Sequence, residues 1–182
     1  MKHMLLAGLA LLLWACGTPR NYGPQTPYYR FPSGTRLVLN QPLEIPANWA
    51  TARLQYGRQV PFGHVQEQEP HCIFEIKTVR ETPQQVEADV FAVTAVHRSV
   101  SELAAGHGFF MRSALADDDA PVPIFFKTTF MLRSEKQPGV LRMACQVGPY
   151  SDDIVEHRHL TVTEIRQALG SVFTLELPAG SR

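Results

Sequence analysis

The chain has 182 residues, 45% of them hydrophobic, with 17 Lys+Arg against 17 Asp+Glu and a formal net charge of zero. That balance gives no electrostatic case for nucleic acid or for an anionic membrane surface. The length fits one domain after N-terminal processing, on the usual ~100–200 residues per domain, with enough chain to bury a core without many covalent staples.

The N-terminus comes first. Lys2 supplies a positive start, and Leu5 to Leu13 is almost wholly apolar. That run is too short to cross a bilayer, which needs ~20 apolar residues. A charged start, a short apolar run and a small residue before a cut form the grammar of a signal peptide. Here the cut falls between Ala15 and Cys16. Leu13-Trp14-Ala15-Cys16 resembles the bacterial lipobox, with Trp14 a bulky departure at that motif's loosest position. The resemblance implies a lipoprotein signal peptide over 1–15, diacylation of Cys16, cleavage before it and N-acylation of the new terminus. Gly17 after the cysteine, rather than aspartate, is similar to the sorting signal for the outer membrane. The implied location is therefore the outer membrane, lipid-anchored and facing the periplasm, with the lipid on Cys16 as the membrane contact. Several acyl chains anchor stably where one binds only marginally. The alternative is an ordinary secretory signal with an incidental cysteine.

Residues 16–34 read as a lipidated tether. Pro19, Pro24, Pro27 and Pro32 break any helix and favour extended backbone. Tyr22, Tyr28, Tyr29 and Phe31 make this stretch unusually aromatic. The expectation is that Tyr28 to Phe31 dock as a first edge of the domain; the competing reading is contact with a membrane or partner.

From Thr35 the period is mostly two, the strand signature, so residues 35–182 are expected to form one β-rich envelope domain. Arg36–Leu39 reads as a strand, continued by Leu43–Ile45. Pro46 to Trp49 is a turn. Thr51–Tyr56 alternates, with Ala52, Leu54 and Tyr56 on one side. Residues 58–69 form a loop with a short strand. Cys72–Val79 is a strand with Cys72, Phe74 and Ile76 on one face, and Thr82–Gln85 is a turn. Val86–Val96 is apolar on both faces, as in a central or covered strand. Ser99-Val100-Ser101-Glu102 has the S-x-x-E capping-box form and predicts a helical turn or two, ending at Gly106. Residues 108–123 predict an exposed loop with Asp117-Asp118-Asp119 at its tip. A bare aspartate triplet lacks the alternation with which calcium loops wrap the ion.

Ile124–Arg133 and Val140–Val147 form the clearest hairpin, looped by Ser134–Gly139. One face carries Ile124, Phe126, Phe130 and Leu132; the other strand alternates through Leu141, Met143, Cys145 and Val147. Ile154–Val162 predicts a weaker strand. Thr163–Leu169 predicts a short helix, capped by Thr161 or Thr163 and stopped by Gly170. Val172–Leu177 is a last strand. The expected fold is mainly β: an antiparallel sandwich or partly open barrel with one short C-terminal helix.

The chemistry is sparse. With Cys16 lipidated, Cys72 and Cys145 remain of the three cysteines. In an oxidising compartment such an even pair is most simply a disulfide. Both sit on apolar strand faces, so the two strands must be neighbours or face each other across the core. His157 and His159 have metal-like i, i+2 spacing. They could share zinc or copper with His64, His71, His97 or His107, but Glu156 and Arg158 suggest solvated surface. Glu44, Glu69 and Glu75 are the carboxylates a glycosidase pair would draw on. There is no Gly-x-Ser-x-Gly elbow and no phosphate-binding glycine loop, and no cofactor is expected.

Phe31-Pro32-Ser33-Gly34-Thr35, Leu39 to Pro46, and Pro70-His71-Cys72-Ile73-Phe74-Glu75 together resemble small Gram-negative envelope proteins without an assigned function. That resemblance implies no activity and transfers no site residues. The sequence thus predicts a non-catalytic, lipid-anchored envelope protein with a binding or structural role, whose partner is an envelope protein or a glycan and not nucleic acid. The alternatives are a metal-binding protein using His157 and His159, and a cell-envelope glycan hydrolase.

Overall fold

The computed structural model describes residues 22–102, 124–148 and 158–180. Within them lie β1 (Arg36–Leu39), β2 (Leu43–Ile45), β3 (Thr51–Gln55), β4 (Arg58–Val60), β5 (His71–Ile76), β6 (Gln84–Val86), β7 (Asp89–Glu102), β8 (Ile124–Arg133), β9 (Val140–Val147), one helix, α1 (Val162–Leu169), and β10 (Phe173–Glu176). Eight strands make one antiparallel sheet in the order β10-β1-β7-β8-β9-β5-β3-β4, curled into a half-barrel; β2 and β6 pair separately. Of the two expected architectures, the partly open barrel is the one that forms.

Alternation explains the core. Leu37, Leu39, Ala52, Leu54, Phe74, Phe130, Leu132, Met143 and Leu175 all point into the concave side and are buried. Phe74 sits between Phe173 and Phe91, with ring centroids 5.3 and 6.0 Å away. Fully burying such side chains stabilises the fold by ~1.5–3 kcal/mol each. Cys72 and Cys145 face each other at paired positions of β5 and β9, their Cα atoms 4.0 Å apart, and are bonded. The bridge joins neighbouring strands across a sequence separation of 73. The chain-entropy argument assigns a loop of that size ~4 kcal/mol.

Two bulges shift the pattern by one residue. In β9, Glu75 pairs with Arg142 but Ile76 pairs with Val140, so Leu141 is the extra residue. Val140 is buried and Leu141 only half-buried, which corrects the expected face of Leu141. In β7 the extra residue is Thr94, whose hydroxyl donates to the Met131 carbonyl at 3.3 Å. Phe91 and Val93 face inward before it, Val96 and Arg98 after it.

Other expectations also change. Ser99–Glu102 do not start a helix. They are the end of β7, paired with Lys127 to Ile124 of β8, because a long partner strand outcompetes a local cap. Gln84 and Gln85 belong to β6 rather than to a turn, since Ile45 and Glu44 supply the ladder. Tyr56 leaves the face of Ala52 and Leu54: Tyr56 (φ 52°) and Gly57 (φ 77°) are the two left-handed residues of a tight β3–β4 hairpin. In the described part of the expected 154–162 strand, residues 158–161 are irregular and α1 begins at Val162. Residues 103–123, with the Asp117–Asp119 triplet, lie outside the described residues.

Helix α1 fills the concavity. Val162, Ile165, Ala168 and Leu169 form its buried stripe. Thr161 and Glu164 make a reciprocal capping box, and Gly170 (φ 54°) ends the helix with its N–H on the Arg166 carbonyl at 2.8 Å. The helix end meets the β3–β4 turn backbone to backbone. The Gly57 N–H donates to the Ala168 carbonyl at 3.1 Å. A Cβ on Gly170 would fall 2.1 Å from the Gly57 Cα.

The N-terminal stretch closes the other side. Tyr29 is 4% exposed. Phe31 stacks edge-on against Phe130, with centroids 4.8 Å apart. The Arg98 guanidinium donates to the Pro27 carbonyl at 2.6 Å and the Tyr29 carbonyl at 2.7 Å. The Val162 N–H reaches the Pro24 carbonyl at 3.1 Å. This stretch docks as expected of Tyr28 to Phe31, but as a strap without strand pairing. Tyr28 stays 61% exposed.

Gly170→Ala should cost ~2 kcal/mol or more, because it combines left-handed strain with a collision against backbone. Gly63→Ala, at φ 80° but with nothing within 4 Å, should cost only the ~1 kcal/mol of strain. Urea denaturation of the two variants checks this; equal losses would contradict the packing described.

Candidate functional site

The outer face of β3, β5 and β9 carries a row of polar side chains that a period-two strand turns away from the core. Gln55, His71 and Gln146 lie side by side in it, through the pairs Gln55↔His71 and His71↔Gln146. All three are buried, because the chain after β4 folds back over them. Gln55 exchanges two hydrogen bonds with the Gln66 backbone, at 2.9 and 3.0 Å. His71 is 1% exposed, with Nδ1 2.9 Å from the Glu69 carbonyl and Nε2 3.1 Å from the Gln146 amide nitrogen. Burial pushes the His71 pKa down, against the opposing hydrogen bond to the Glu69 backbone and the charge of Glu67. A neutral imidazole with Nδ1–H donating to the Glu69 carbonyl leaves Nε2 to accept from the Gln146 amide. This row is structural: it pins the covering segment that carries the next group of residues.

At the end of the β3–β4 hairpin away from Gly57, that segment and the turn before β3 enclose a cleft of about 590 Å³. Its walls include Glu44, Trp49, Thr51, Gln59, Pro61 and Phe62. The Trp49 and Phe62 rings stack with centroids 4.3 Å apart at 31°. Arg53 projects from β3 and lays its guanidinium carbon 4.5 Å from the Phe62 centroid and 5.6 Å from that of Trp49. Such stacking favours a cation over the ring faces. Partial burial lowers the Arg53 pKa, while Glu67 raises it, and the guanidinium stays charged. Phe62 is 61% exposed, an unusual position for an apolar ring, and among the described residues its ring and cation contacts are Trp49 and Arg53. The Gln59 amide nitrogen donates to the Glu44 carbonyl at 2.8 Å, tying the edge strand to β2. The cleft thus offers an aromatic shelf, an oriented cation and neutral hydrogen-bonding groups in one open concavity.

A second cleft, of about 370 Å³, lies between α1 and the β5 approach, lined among others by Tyr56, Glu69, Arg158, Glu164 and Gln167. Arg158 and Glu164 meet there in a fork, at 2.8 and 2.7 Å. The Arg158 guanidinium, helped by the Thr161 N–H and hydroxyl and opposed by burial, holds the Glu164 carboxyl down at about 2. Its charged groups therefore already serve one another and the helix cap.

The residues singled out in the sequence are placed as follows. Cys72 and Cys145 are joined. Cys16 and His157 lie outside the described residues. His159 does not decorate a solvated strand. It is half-buried, packed edge-on against Phe126 at 5.5 Å, with Nδ1 unpartnered among the described residues and its pKa lowered by burial and by Arg98. Among the described residues no three His, Cys, Asp or Glu side chains form a metal-binding group. His71 is consumed in the polar row, and His64 and His97 are exposed. The three glutamates are parted: Glu44 lines the first cleft, Glu69 the second, and Glu75 pairs with Arg142 at 2.7 Å. Trp49, Arg53 and Phe62 do not stand out in the sequence as a site. Its only signal was Arg53 on the polar face of β3; the two rings come from a turn and a loop that the hairpin brings together.

No family model, curated protein or solved structure matches the chain.

The Glu164 carboxylate yields a signed pH dependence. Its folded pKa, about 2, lies below its ordinary 4.5, so its stabilisation is full above about pH 4.5 and is lost as pH falls toward 2. Glu164→Gln should lower stability at pH 7 by ~0.5–1.5 kcal/mol, a capping-scale loss for a partly exposed pair. It should also flatten that part of the acid limb. Denaturant midpoints from pH 7 to pH 2.5 measure both, and parallel curves for the two proteins would refute the assignment.

Proposed function

We propose that this chain is a non-catalytic, lipid-anchored protein of the bacterial outer membrane, and that it binds its partner through the Trp49–Arg53–Phe62 cleft. The observation that carries this reading is the strap. A chain leading back toward the lipobox is not a loose spacer: Tyr29 is buried, and Arg98 holds two of its carbonyls. From Cys16 to Tyr22 the chain spans at most about 20 Å when fully extended. A lipid on Cys16 therefore holds the domain close to the membrane surface, with a fixed departure point. The cross-strand disulfide suits an oxidising compartment. The concave face is occupied by α1 and the strap, so the interior is a core, and the cleft on the rim is what the described fold presents to a partner.

Cys16→Ser should abolish incorporation of a palmitate analogue during growth in a Gram-negative host. It should also leave an unprocessed or mislocalised precursor. Label incorporation reduced to background is the expected result; labelling that survives the substitution would overturn the lipoprotein reading.

A further inference from the structure

Arg53 is held but not paired. Contact with the Phe62 and Trp49 rings holds its guanidinium, 4.5 and 5.6 Å from their centroids. Among the described residues it makes no hydrogen bond and no close ion pair. Glu67 acts on it only through space, and the Glu67 carboxylate is turned to His71 Nε2 at 3.3 Å. A guanidinium carries five N–H donors in a rigid fork. Once half removed from water, those donors call for an acceptor, because a partly desolvated cation without one is costly. A carboxylate matches the fork with two parallel bonds, and a guanidinium already oriented by stacking loses little freedom in making them.

We infer that the cleft binds an acidic saccharide, with the sugar carboxylate on Arg53 and the sugar ring on the Trp49–Phe62 shelf. This rests on the binding role proposed above and names its ligand class. The surroundings of Arg53 choose the ligand's body. The Trp49 and Phe62 rings, tilted 31° to each other with centroids 4.3 Å apart, and the flanking Pro46 and Pro61 make an apolar aromatic floor. A pyranose presents a C–H face to such a floor and hydroxyls at its rim. Thr51 and Gln59 stand in the wall for those hydroxyls, and the Gln59 side-chain oxygen remains an acceptor, since only its nitrogen is engaged by Glu44. Glu44 lines the same cleft, and its negative charge repels an acid. It therefore sets polarity: hydroxyls toward Glu44, carboxylate toward Arg53. An acidic peptide offers the carboxylate without the ring face, and a neutral glycan offers the ring without the carboxylate.

The test is calorimetric titration of the full chain with three probes: a tetrasaccharide of glucuronate, a neutral glucose tetrasaccharide, and triglutamate. The glucuronate probe should bind in a salt-sensitive way, and the other two at least about tenfold more weakly. Arg53→Gln should weaken glucuronate binding about 10- to 100-fold, and Arg53→Lys less, since charge remains but the fork is lost. Trp49→Ala should weaken both saccharides. Far-UV circular dichroism and an intact Cys72–Cys145 disulfide confirm that each variant keeps its fold. No binding of the glucuronate probe, or Arg53→Gln binding it unchanged, would overturn the inference. Equal binding of the neutral tetrasaccharide would also overturn it while leaving a saccharide-binding cleft in place. Equal binding of triglutamate would overturn the saccharide assignment. Loss of the lipid reading would show in the Cys16 labelling and leave these titrations untouched.

Discussion

Where Gly170 meets Gly57, two backbones touch with no side chain between them. The whole half-barrel depends on that contact. An open eight-stranded sheet has a concave face to cover and two edges to protect. A helix of eight residues is short for the task, and it succeeds by sitting close. Its buried stripe packs on β5, β3 and β10, strands from both halves of the sheet order. Its Arg166 donates to the Leu175 carbonyl of the edge strand β10 at 3.0 Å. The other edge, β4, is only three residues long and carries Arg58 and Gln59 into solvent, a composition that discourages pairing with another chain.

With the interior filled, polar residues are pushed to the rim, and the outer face of β3 becomes the working surface. The same strand serves both sides: Ala52 and Leu54 enter the core, while Arg53 and Gln55 face out. Gln55 and His71 anchor the segment that follows β4, and that anchoring sets Phe62 against Trp49 and Arg53. The buried polar row and the open aromatic cleft are therefore one construction. Loosening the first should disorder the second, which couples the stability of the domain to the shape of its cleft.

Much of the fold was legible because strands announce themselves by period. β1, β3, β5, β8 and β9 follow from alternation, and the inward parity of Cys72 and Cys145 led to their bond and to the adjacency of their strands. The short helix and its stop at Gly170 were readable from local signals, and of the two candidate caps, Thr161 and Thr163, Thr161 is the cap. What escaped was non-local. A bulge adds one residue without altering composition, so the flips at Thr94 and Leu141 leave no trace in the pattern. Ser99–Glu102 satisfies a helix-start rule, yet β8 offers a full ladder there, and tertiary pairing overrides the cap. Leu43–Ile45 was legible as a strand, but its partner, Gln84–Val86, read as a turn. His159 looked solvated because its neighbours in sequence are charged, whereas its neighbour in space is the Phe126 ring. The cleft was invisible for a similar reason: Trp49 and Phe62 sit in segments without periodicity, and a two-residue hairpin is what brings them face to face.

Helix and sheet form a single cooperative unit, closed where Gly170 meets Gly57. Native-state hydrogen exchange tests that most directly. The amides of Ile165, Ala168 and Leu169 should exchange with the same opening free energy as those of Phe74 and Met143 in β5 and β9, and the two groups should lose protection together as denaturant is added. Helix amides that exchange several kcal/mol more easily than the central strands would mean that α1 leaves without opening the sheet, and would contradict the account.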